Sequence, residues 1–203
     1  MTESKSTPSP DDFSRLIGSA LTMWAQVEYA HCCIFQTVAS GVLGNGALMK
    51  AYWAVISFEA RQKMVDAAVR ETVSGHDEYL RIWTNLNNRL IRKNKIRNKL
   101  AHGTIVPTFE SGQLVDVYFA PYFFPNIGKY ILETALNDER LSDHDITSVI
   151  ESFSALNQDL LSFFERYDRE QILSRSQVMP DGTREAPRFH RPTPPPQIDD
   201  AQS

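Results

Sequence analysis

The spacing of apolar residues in the first part of the chain constrains the fold more than any other feature. With one histidine among them, they recur every three or four residues: Phe13, Leu16, Ile17, Ala20, Trp24, Val27, His31, Ile34 and Val38. Side chains at this spacing lie on one face of an α-helix, so the pattern predicts a long amphipathic helix. Asp11 or Asp12 can cap its first turn, and the glycines at positions 41, 44 and 46 end it.

Three more helices are predicted, at about residues 47–73, 78–102 and 143–172. The helix at 47–73 has two apolar stripes, which indicates that it buries more than one side. Gly103 follows the helix at 78–102 and is expected to take the left-handed conformation that often ends a helix. Ser142 and Asp143 are the capping candidates for the last helix.

Residues 104–135 have a different character. The runs TIVPTF and LVDVYFA are prone to form strands, and the ESGQ between them is typical of a hairpin turn. The runs YFFP and KYILETA are ambiguous and leave a further strand open. The segment predicts a small β insertion, for which a lid and a dimer contact are the two interpretations.

These elements predict one mainly α-helical domain at residues 11–173. It is a bundle of four to five helices with a small β-hairpin insertion, at about 104–135, between the third and last long helices. Residues 1–10 are rich in Ser, Thr and Pro, and residues 174–203 hold six of the eleven prolines. Few residues of either segment can join a core, so both are predicted to be disordered.

The composition narrows the functional classes. A net charge of −4 does not indicate a nucleic-acid-binding protein unless the charge is segregated along the chain. Cys32 and Cys33 lack zinc spacing and are expected to be buried thiols in a reducing compartment. The polar start does not resemble a signal peptide, and no apolar run approaches the ~20 residues of a membrane helix. A cytoplasmic protein without membrane contact, metal or cofactor is predicted.

Charge is most segregated in the helix at 78–102. Between Glu78 and Glu110 there is no acidic residue. The stretch contains seven basic residues: Arg81, Arg89, Arg92, Lys93, Lys95, Arg97 and Lys99. A basic helix attracts phosphates over long range, which makes five of them candidates for RNA binding: Arg89, Arg92, Lys93, Lys95 and Lys99. The alternative is a solvated face whose charge is offset by acids elsewhere, such as Glu59, Asp66 and Glu71.

The end of this helix holds the candidate reactive residues, Arg97 and His102. With ~100° per residue, His102 shares one mostly neutral polar face with Asn87, Ile91, Asn94 and Asn98. Arg97 lies ~140° around the helix from His102, and its long side chain can still reach the same cleft.

A histidine and an arginine together suit RNA cleavage through the 2′-OH. The reaction needs a proton acceptor, a proton donor and compensation of the phosphate charge. His102 can serve as acid or base near neutral pH, and Arg97 offers a bidentate cation that matches phosphate oxygens. The scheme requires no metal. The alternative is an ordinary helix end, in which His102 caps the last carbonyl groups and Arg97 is surface charge.

The run RNKLAHG at residues 97–103 resembles the R-x4-6-H motif of HEPN domains, in which Asn often follows the Arg. Its place near the end of the third long helix of a bundle is also similar to that family, as is the pair of Trp24 and Glu28 in the first helix. The resemblance spans about residues 13–172, and the β insertion is not part of the minimal HEPN fold.

This resemblance implies a metal-independent endoribonuclease of the kind found in toxin–antitoxin, phage-defence and RNA-processing systems. HEPN proteins usually dimerise, and their two motifs form one composite cleft. Arg97 and His102 would be catalytic, with Asn98, Asn94 and Glu28 in supporting roles. The expected partners are RNA, a second copy of the chain, and an antitoxin or a nucleotidyltransferase-like protein.

Other interpretations stay open at the level of sequence. Glu28 lies on the apolar side of its helix and needs a partner, for which Arg61 and Arg97 are the candidates. A structural ion pair and a catalytic role both fit this carboxylate. For the whole chain, the alternatives are a non-catalytic helical module that binds nucleotide, RNA or a partner protein, and a purely structural dimer.

Overall fold

In the computed structural model of the chain, the described residues are 9–41, 43–120 and 140–176. They form five helices and one hairpin: α1 Pro10–Ser40, α2 Gly46–Ala54, α3 Phe58–Thr72, α4 Asp77–His102, β1 Thr104–Glu110, β2 Gln113–Ala120 and α5 Asp143–Ser176. The mainly helical class with a small antiparallel hairpin is therefore confirmed. The further strand predicted after residue 120 and most of both predicted disordered ends lie outside the described residues.

The chain divides into two compact units, Met1–Asp168 and Arg169–Ser203. All the packing discussed below belongs to the first unit. Of the second unit, the structure describes only the end of α5, which continues to Ser176 rather than ending near residue 172 as predicted.

The prediction of one helix over residues 47–73 is wrong, because the chain breaks between α2 and α3. Val55 is extended, with φ −76° and ψ 112°, and Ser57 accepts a hydrogen bond from the backbone N–H of Ala60 at 3.1 Å. A serine that caps a new helix competes with continuation of the old one. Each predicted apolar stripe therefore continues across the break, and one of them contains both Tyr52 of α2 and Val65 of α3, which are buried.

Serine also starts α1 and α5, through reciprocal capping boxes. The hydroxyl of Ser9 accepts from the N–H of Asp12 at 3.2 Å, and the Asp12 carboxylate accepts from the N–H of Ser9 at 3.0 Å. Asp12 is therefore the second member of the box rather than the cap itself. Ser142, a predicted cap, makes the same arrangement with Asp145 at 3.1 and 2.8 Å.

The predicted hairpin is confirmed. Its strands pair from Thr104 opposite Ala120 to Glu110 opposite Gln113, with a bulge after Thr108. Ser111 and Gly112 have φ of 50° and 82°, the two positive values that a tight two-residue turn requires. Apolar residues of the hairpin join α1, α4 and α5 in a small second core: Phe13, Ala20, Leu100, Val117, Phe119 and Ile146.

Gly103 does not adopt the predicted left-handed conformation. Its φ of −93° and ψ of −177° are extended and open to any residue. The requirement for glycine is spatial, since a Cβ here would lie 2.5 Å from the carbonyl oxygen of Ala120 and would overlap the ring of Phe119. Strand β2 therefore packs directly against the residue that follows α4.

The main core lies among α1, α3, α4 and α5 around Trp24, which is 1% exposed. The Trp24 ring makes edge contacts with Phe58 at 5.0 Å and Phe153 at 5.1 Å between ring centroids. His31 stacks on Trp83 at 6.1 Å in the same layer. Tight aromatic packing of this kind fixes the relative positions of the helices that support α4.

His31 is buried as predicted, and Cys32 and Cys33 are buried free thiols. The Nδ1 atom of His31 lies 3.0 Å from the Tyr52 hydroxyl, whereas Nε2 has no hydrogen-bond partner within the described part of the chain. Burial, followed by the positive charge of Arg61, lowers the pKa of His31 to about 3. The imidazole is therefore a neutral core residue at physiological pH.

Substitution Gly103→Ala is expected to destabilise the protein by about 1–3 kcal/mol, because the added methyl group overlaps Phe119 and Ala120. Gly18→Ala is the matched control, since a Cβ at this exposed helix position meets nothing within 4 Å. It should stabilise α1 by about 0.5–1 kcal/mol. Urea unfolding measures both values, and equal effects would contradict the packing described for Gly103.

The stability of the protein is expected to fall as the pH drops from about 6.5 toward 3. The folded state keeps His31 neutral down to about pH 3, whereas the unfolded chain protonates this imidazole near pH 6.5. The unfolded state thus binds one more proton in this window, which removes about 1.4 kcal/mol per pH unit. Urea titrations between about pH 6 and 5, above the range in which carboxylates take up protons, should show this slope in the natural chain and its loss in His31→Gln.

Candidate functional site

Helix α4 presents the predicted polar face, but its members differ in environment. Asn87 is buried and accepts a hydrogen bond from Nε2 of Gln62 on α3 at 2.6 Å. Asn98 and His102 are exposed, and Ile91 is 42% exposed. The face therefore anchors α4 to α3 at one end and opens to solvent toward its C-terminus.

Arg97 points to the other side of α4, toward the helical bundle. It lies two turns after Leu90, which is fully buried, and positions seven apart differ by only ~20° on a helix. Its side chain is 34% exposed, and Nη1 donates to Oδ1 of Asn98 at 3.0 Å. The Nη2 atom lies 4.0 Å from a carboxylate oxygen of Glu28 on α1.

Glu28 is the centre of a buried polar cluster that joins three helices. One carboxylate oxygen accepts from the indole N–H of Trp24 at 2.7 Å and faces Arg97. The other oxygen pairs with Nη1 of Arg61 on α3 at 3.1 Å. Both partners predicted for this carboxylate are thus present, and Arg61 makes the shorter contact.

Aromatic rings surround the Arg61 guanidinium. Its central carbon lies 5.2, 4.9 and 5.7 Å from the ring centroids of Tyr52, Trp53 and Phe58. The negative faces of aromatic rings stabilise a desolvated cation, which explains how Arg61 can be only 7% exposed. This cage was not predicted, because the spacing of Tyr52 and Trp53 indicates only a helix with two apolar sides.

Two polar atoms of α4 near the Glu28 cluster lack hydrogen-bond partners. Within the described part of the chain, Oδ1 of Asn94 and Nε of Arg97 are buried without a hydrogen-bond partner. A buried polar group without a partner is costly, and such groups often mark a place where water or a ligand binds. The acceptor on Asn94 and the donor on Arg97 lie three residues apart on α4.

His102 is the last residue of α4 and is exposed. No hydrogen bond joins it to Arg97 in the ranges that the structure describes, and Arg97 is directed toward Glu28 instead. One copy of the chain therefore does not bring the two predicted catalytic side chains into contact. They share only the last turns of one helix, ~7.5 Å apart along its axis.

The basic residues of α4 have unequal surroundings. Arg89 pairs with Asp159 on α5 at 2.6 Å, whereas Arg92 and Lys95 are exposed. Burial, followed by the charges of Arg89 and Arg92, lowers the pKa of Lys93. This mutual repulsion is what a concentrated positive surface produces.

Two of the acids that were expected to balance the basic charge of α4 pair with other residues instead. Glu59 pairs with Lys63 at 2.7 Å within α3, and Asp66 pairs with Arg70 at 2.9 Å while it accepts from the indole of Trp83. Asp159 on α5 lies against one of the predicted RNA-binding residues, Arg89, and it was not predicted because it is distant in the sequence.

Among the described residues, no group of His, Cys, Asp and Glu side chains could hold a metal ion. In the same ranges, no helix is both long and apolar enough to cross a membrane.

Replacement of Glu28 by Ala is expected to destabilise the fold by about 3–5 kcal/mol, because it leaves the buried Arg61 without its counter-charge. Glu59→Ala is the matched control, since it removes an exposed helix ion pair and should change the unfolding free energy little. Thermal unfolding of both variants tests the difference, and a Glu28→Ala protein as stable as the control would contradict a structural role for the cluster.

Comparison of the chain with protein-family models, curated proteins and solved structures gives no match in any of the three.

Proposed function

We propose that the protein is a metal-independent endoribonuclease of HEPN type that works as a homodimer. The observation that best supports this is the environment of Arg97. Its guanidinium is oriented by Glu28 and Asn98, yet a third of the side chain is open to solvent at the end of a basic helix. A pre-oriented cation of this kind suits a phosphate that gains charge during a reaction.

His102 is the proposed proton-transfer group. In RNA cleavage, a base removes the proton from the 2′-OH, and the resulting oxygen attacks the adjacent phosphorus. The bond to the 5′-oxygen breaks, and an acid protonates this leaving group. An exposed histidine can fill either role near neutral pH, while Arg97 compensates the charge on the phosphate oxygens.

The divergence of the two side chains is the reason to propose a dimer. Arg97 and His102 lie ~140° apart on α4, so a cleft that contains both needs a residue from a second copy. Ile91, 42% exposed on the face of Asn98 and His102, supplies an apolar contact for such a copy. In such a dimer, the end of α4 in one copy has to lie so that its His102 reaches the solvent-open part of Arg97 in the other copy.

The wider setting is proposed from the resemblance of residues 97–103 to the HEPN motif. A toxin or phage-defence component would act with an antitoxin or a nucleotidyltransferase-like protein as its regulator. Asn94 and Glu28 have supporting roles in this proposal, because Glu28 orients Arg97 and Asn94 lies one turn before it.

A second candidate function is a non-catalytic helical module that binds RNA. The orientation of Arg97 toward the bundle favours it, since an arginine that only balances Glu28 would leave α4 as a basic surface without chemistry. This module would show salt-dependent RNA binding without cleavage products.

The test of the nuclease proposal is cleavage of structured RNA in EDTA by the natural chain, Arg97→Ala and His102→Ala. Each substitution is expected to lower the cleavage rate by about 10²-fold or more, because each removes one reacting group. Arg15→Ala, which removes an exposed cation from α1, is the matched control and should keep full activity. Equal activity of all four proteins would contradict the site.

Mixing the two inactive variants tests the shared cleft. Random refolding makes about half of the dimers heterodimers, and each of these holds one intact Arg97 and one intact His102, so the mixture should regain activity that neither variant has alone. A mixture that stays inactive, while each variant still dimerises with the natural chain, would contradict a cleft shared between copies.

A further inference from the structure

A groove of about 650 Å³ lies between the first half of α4 and α5. It is lined by residues 81–89 of α4 and residues 159–166 of α5, and neither Arg97 nor His102 contributes to it. Its volume is in the range of cavities that hold small ligands or parts of polymers. The groove is thus a separate feature from the proposed cleavage site.

The groove is positively charged. Three arginines line it, Arg81, Arg89 and Arg166, and Asp159 is the lining carboxylate, but Glu78 near the start of α4 pairs with Arg166 at 3.0 Å, so the excess is one positive charge. Asp159 is already paired with Arg89 at 2.6 Å. Arg81 is exposed, and its charge helps to lower the pKa of Glu78 after the larger effect of Arg166. Within the described ranges it makes no ion pair at contact distance, so its guanidinium can also receive an anion from the groove.

The remaining lining is neutral and falls into two kinds. Asn85, Asn88 and Ser162 are exposed and can donate or accept hydrogen bonds at the rim. The floor is formed by the half-buried Ile82 and by Leu86 and Phe163, which are 3% and 4% exposed. A ligand that fits all of these surfaces has anionic groups, polar edges and a flat apolar face.

The positive surface continues beyond the groove along the same side of α4. With ~100° per residue, Arg92 and Lys99 fall within ~20° of Arg81, and Asn85 lies ~40° from it. Between Arg81 and Lys99 the helix rises by about 27 Å. A line of cations of this length matches a polymer that carries a charge on every unit.

We propose that this groove binds a single-stranded segment of RNA, with phosphates against Arg81, Arg89 and Arg166 and a base over the apolar floor. The inference rests on the proposed function, because it assigns the place where the substrate is held outside the cleavage site. The arginine forks match phosphate oxygens, and the amides of Asn85 and Asn88 match the polar edges of bases. An acidic peptide shares the charge but has no planar group for the floor on each unit.

A single strand fits better than a duplex. The floor can cover the face of a base only when that base is unstacked from its neighbours, as in loops and single strands. Inside a duplex, bases are stacked and present only their edges. The groove therefore favours unpaired regions of a substrate.

The experiment measures binding of a labelled, unstructured RNA 20-mer in EDTA to the full chain with His102→Ala, which prevents turnover. Arg81→Glu is expected to weaken binding about tenfold and to reduce the slope of log K against log salt by about 0.7, the value for one phosphate contact on a single strand. Ser162→Trp fills the groove from its rim and should weaken binding by a similar factor.

Lys63→Glu is the matched control, because it makes the same change in charge at an exposed position on α3. It should change the affinity by less than about threefold. Thermal unfolding of all variants checks that each is folded before binding is compared.

The outcomes separate this inference from the proposed function. RNA binding that is equally insensitive to Arg81→Glu, Ser162→Trp and Lys63→Glu overturns the groove and leaves the nuclease proposal standing. Duplex RNA bound as tightly as the single strand overturns the assignment of the occupant, as does tighter binding of a poly-glutamate peptide. Absence of any RNA binding by the natural chain contradicts the proposed function itself.

Discussion

The buried carboxylate of Glu28 is the interaction on which the arrangement of the bundle depends. It joins α1 to α3 through Arg61 and to α4 through Arg97, and it accepts from the indole of Trp24 within its own helix. A charge removed from water is tolerated only while its partners stay in place, so the cluster resists relative sliding of the three helices. The apolar core alone would not distinguish so sharply between neighbouring registers.

Helix α4 serves three purposes on three sides. Leu90 and Trp83 face the core, where both are fully buried. A second side carries neutral amides and ends at His102, and a third side carries Arg81 and the groove shared with α5. Asp77 and Glu78 lie in the first turn of α4, and the absence of acids from the rest of the helix leaves its remaining polar surface without negative charge. The basic residues form one continuous stretch in the sequence, but the helix distributes them over separate surfaces of the protein.

Local patterns in the sequence predict a large part of this architecture. The apolar spacing predicts α1 and α4 closely, and the ESGQ turn predicts the hairpin, because both signals depend on residues that are near each other in the chain. The pairing of Glu28 with Arg61 and Arg97 was also predictable, since a carboxylate on an apolar stripe needs a cation. The break between α2 and α3 was missed because the cap at Ser57 competes with helical spacing that continues on both sides of it.

Features built from distant segments could not be predicted in this way. The groove needs Asp159 and Arg166 of α5 beside Arg81 and Arg89 of α4, and no local pattern places them together. The divergence of Arg97 from His102 follows from helix geometry, whereas the direction of Arg97 toward Glu28 depends on how α1 packs. The sequence therefore indicates the two candidate residues, Arg97 and His102. The residues that surround them can be identified only from the three-dimensional structure.

The close packing at Gly103 has a consequence for how sequences related to this one can diverge. The ring of Phe119 on β2 occupies the place that a Cβ of residue 103 would take, so the two positions contact each other directly. A smaller side chain at position 119 would relieve only part of the overlap, because the backbone carbonyl of Ala120 also occupies the place of a Cβ, so glycine is required while β2 keeps its position. Gly103 resembles part of a motif or a helix stop in the sequence. In the structure, the residue has to be glycine because strand β2 packs against it. Lineages without the hairpin are released from this requirement, and their residue at that position is free to drift.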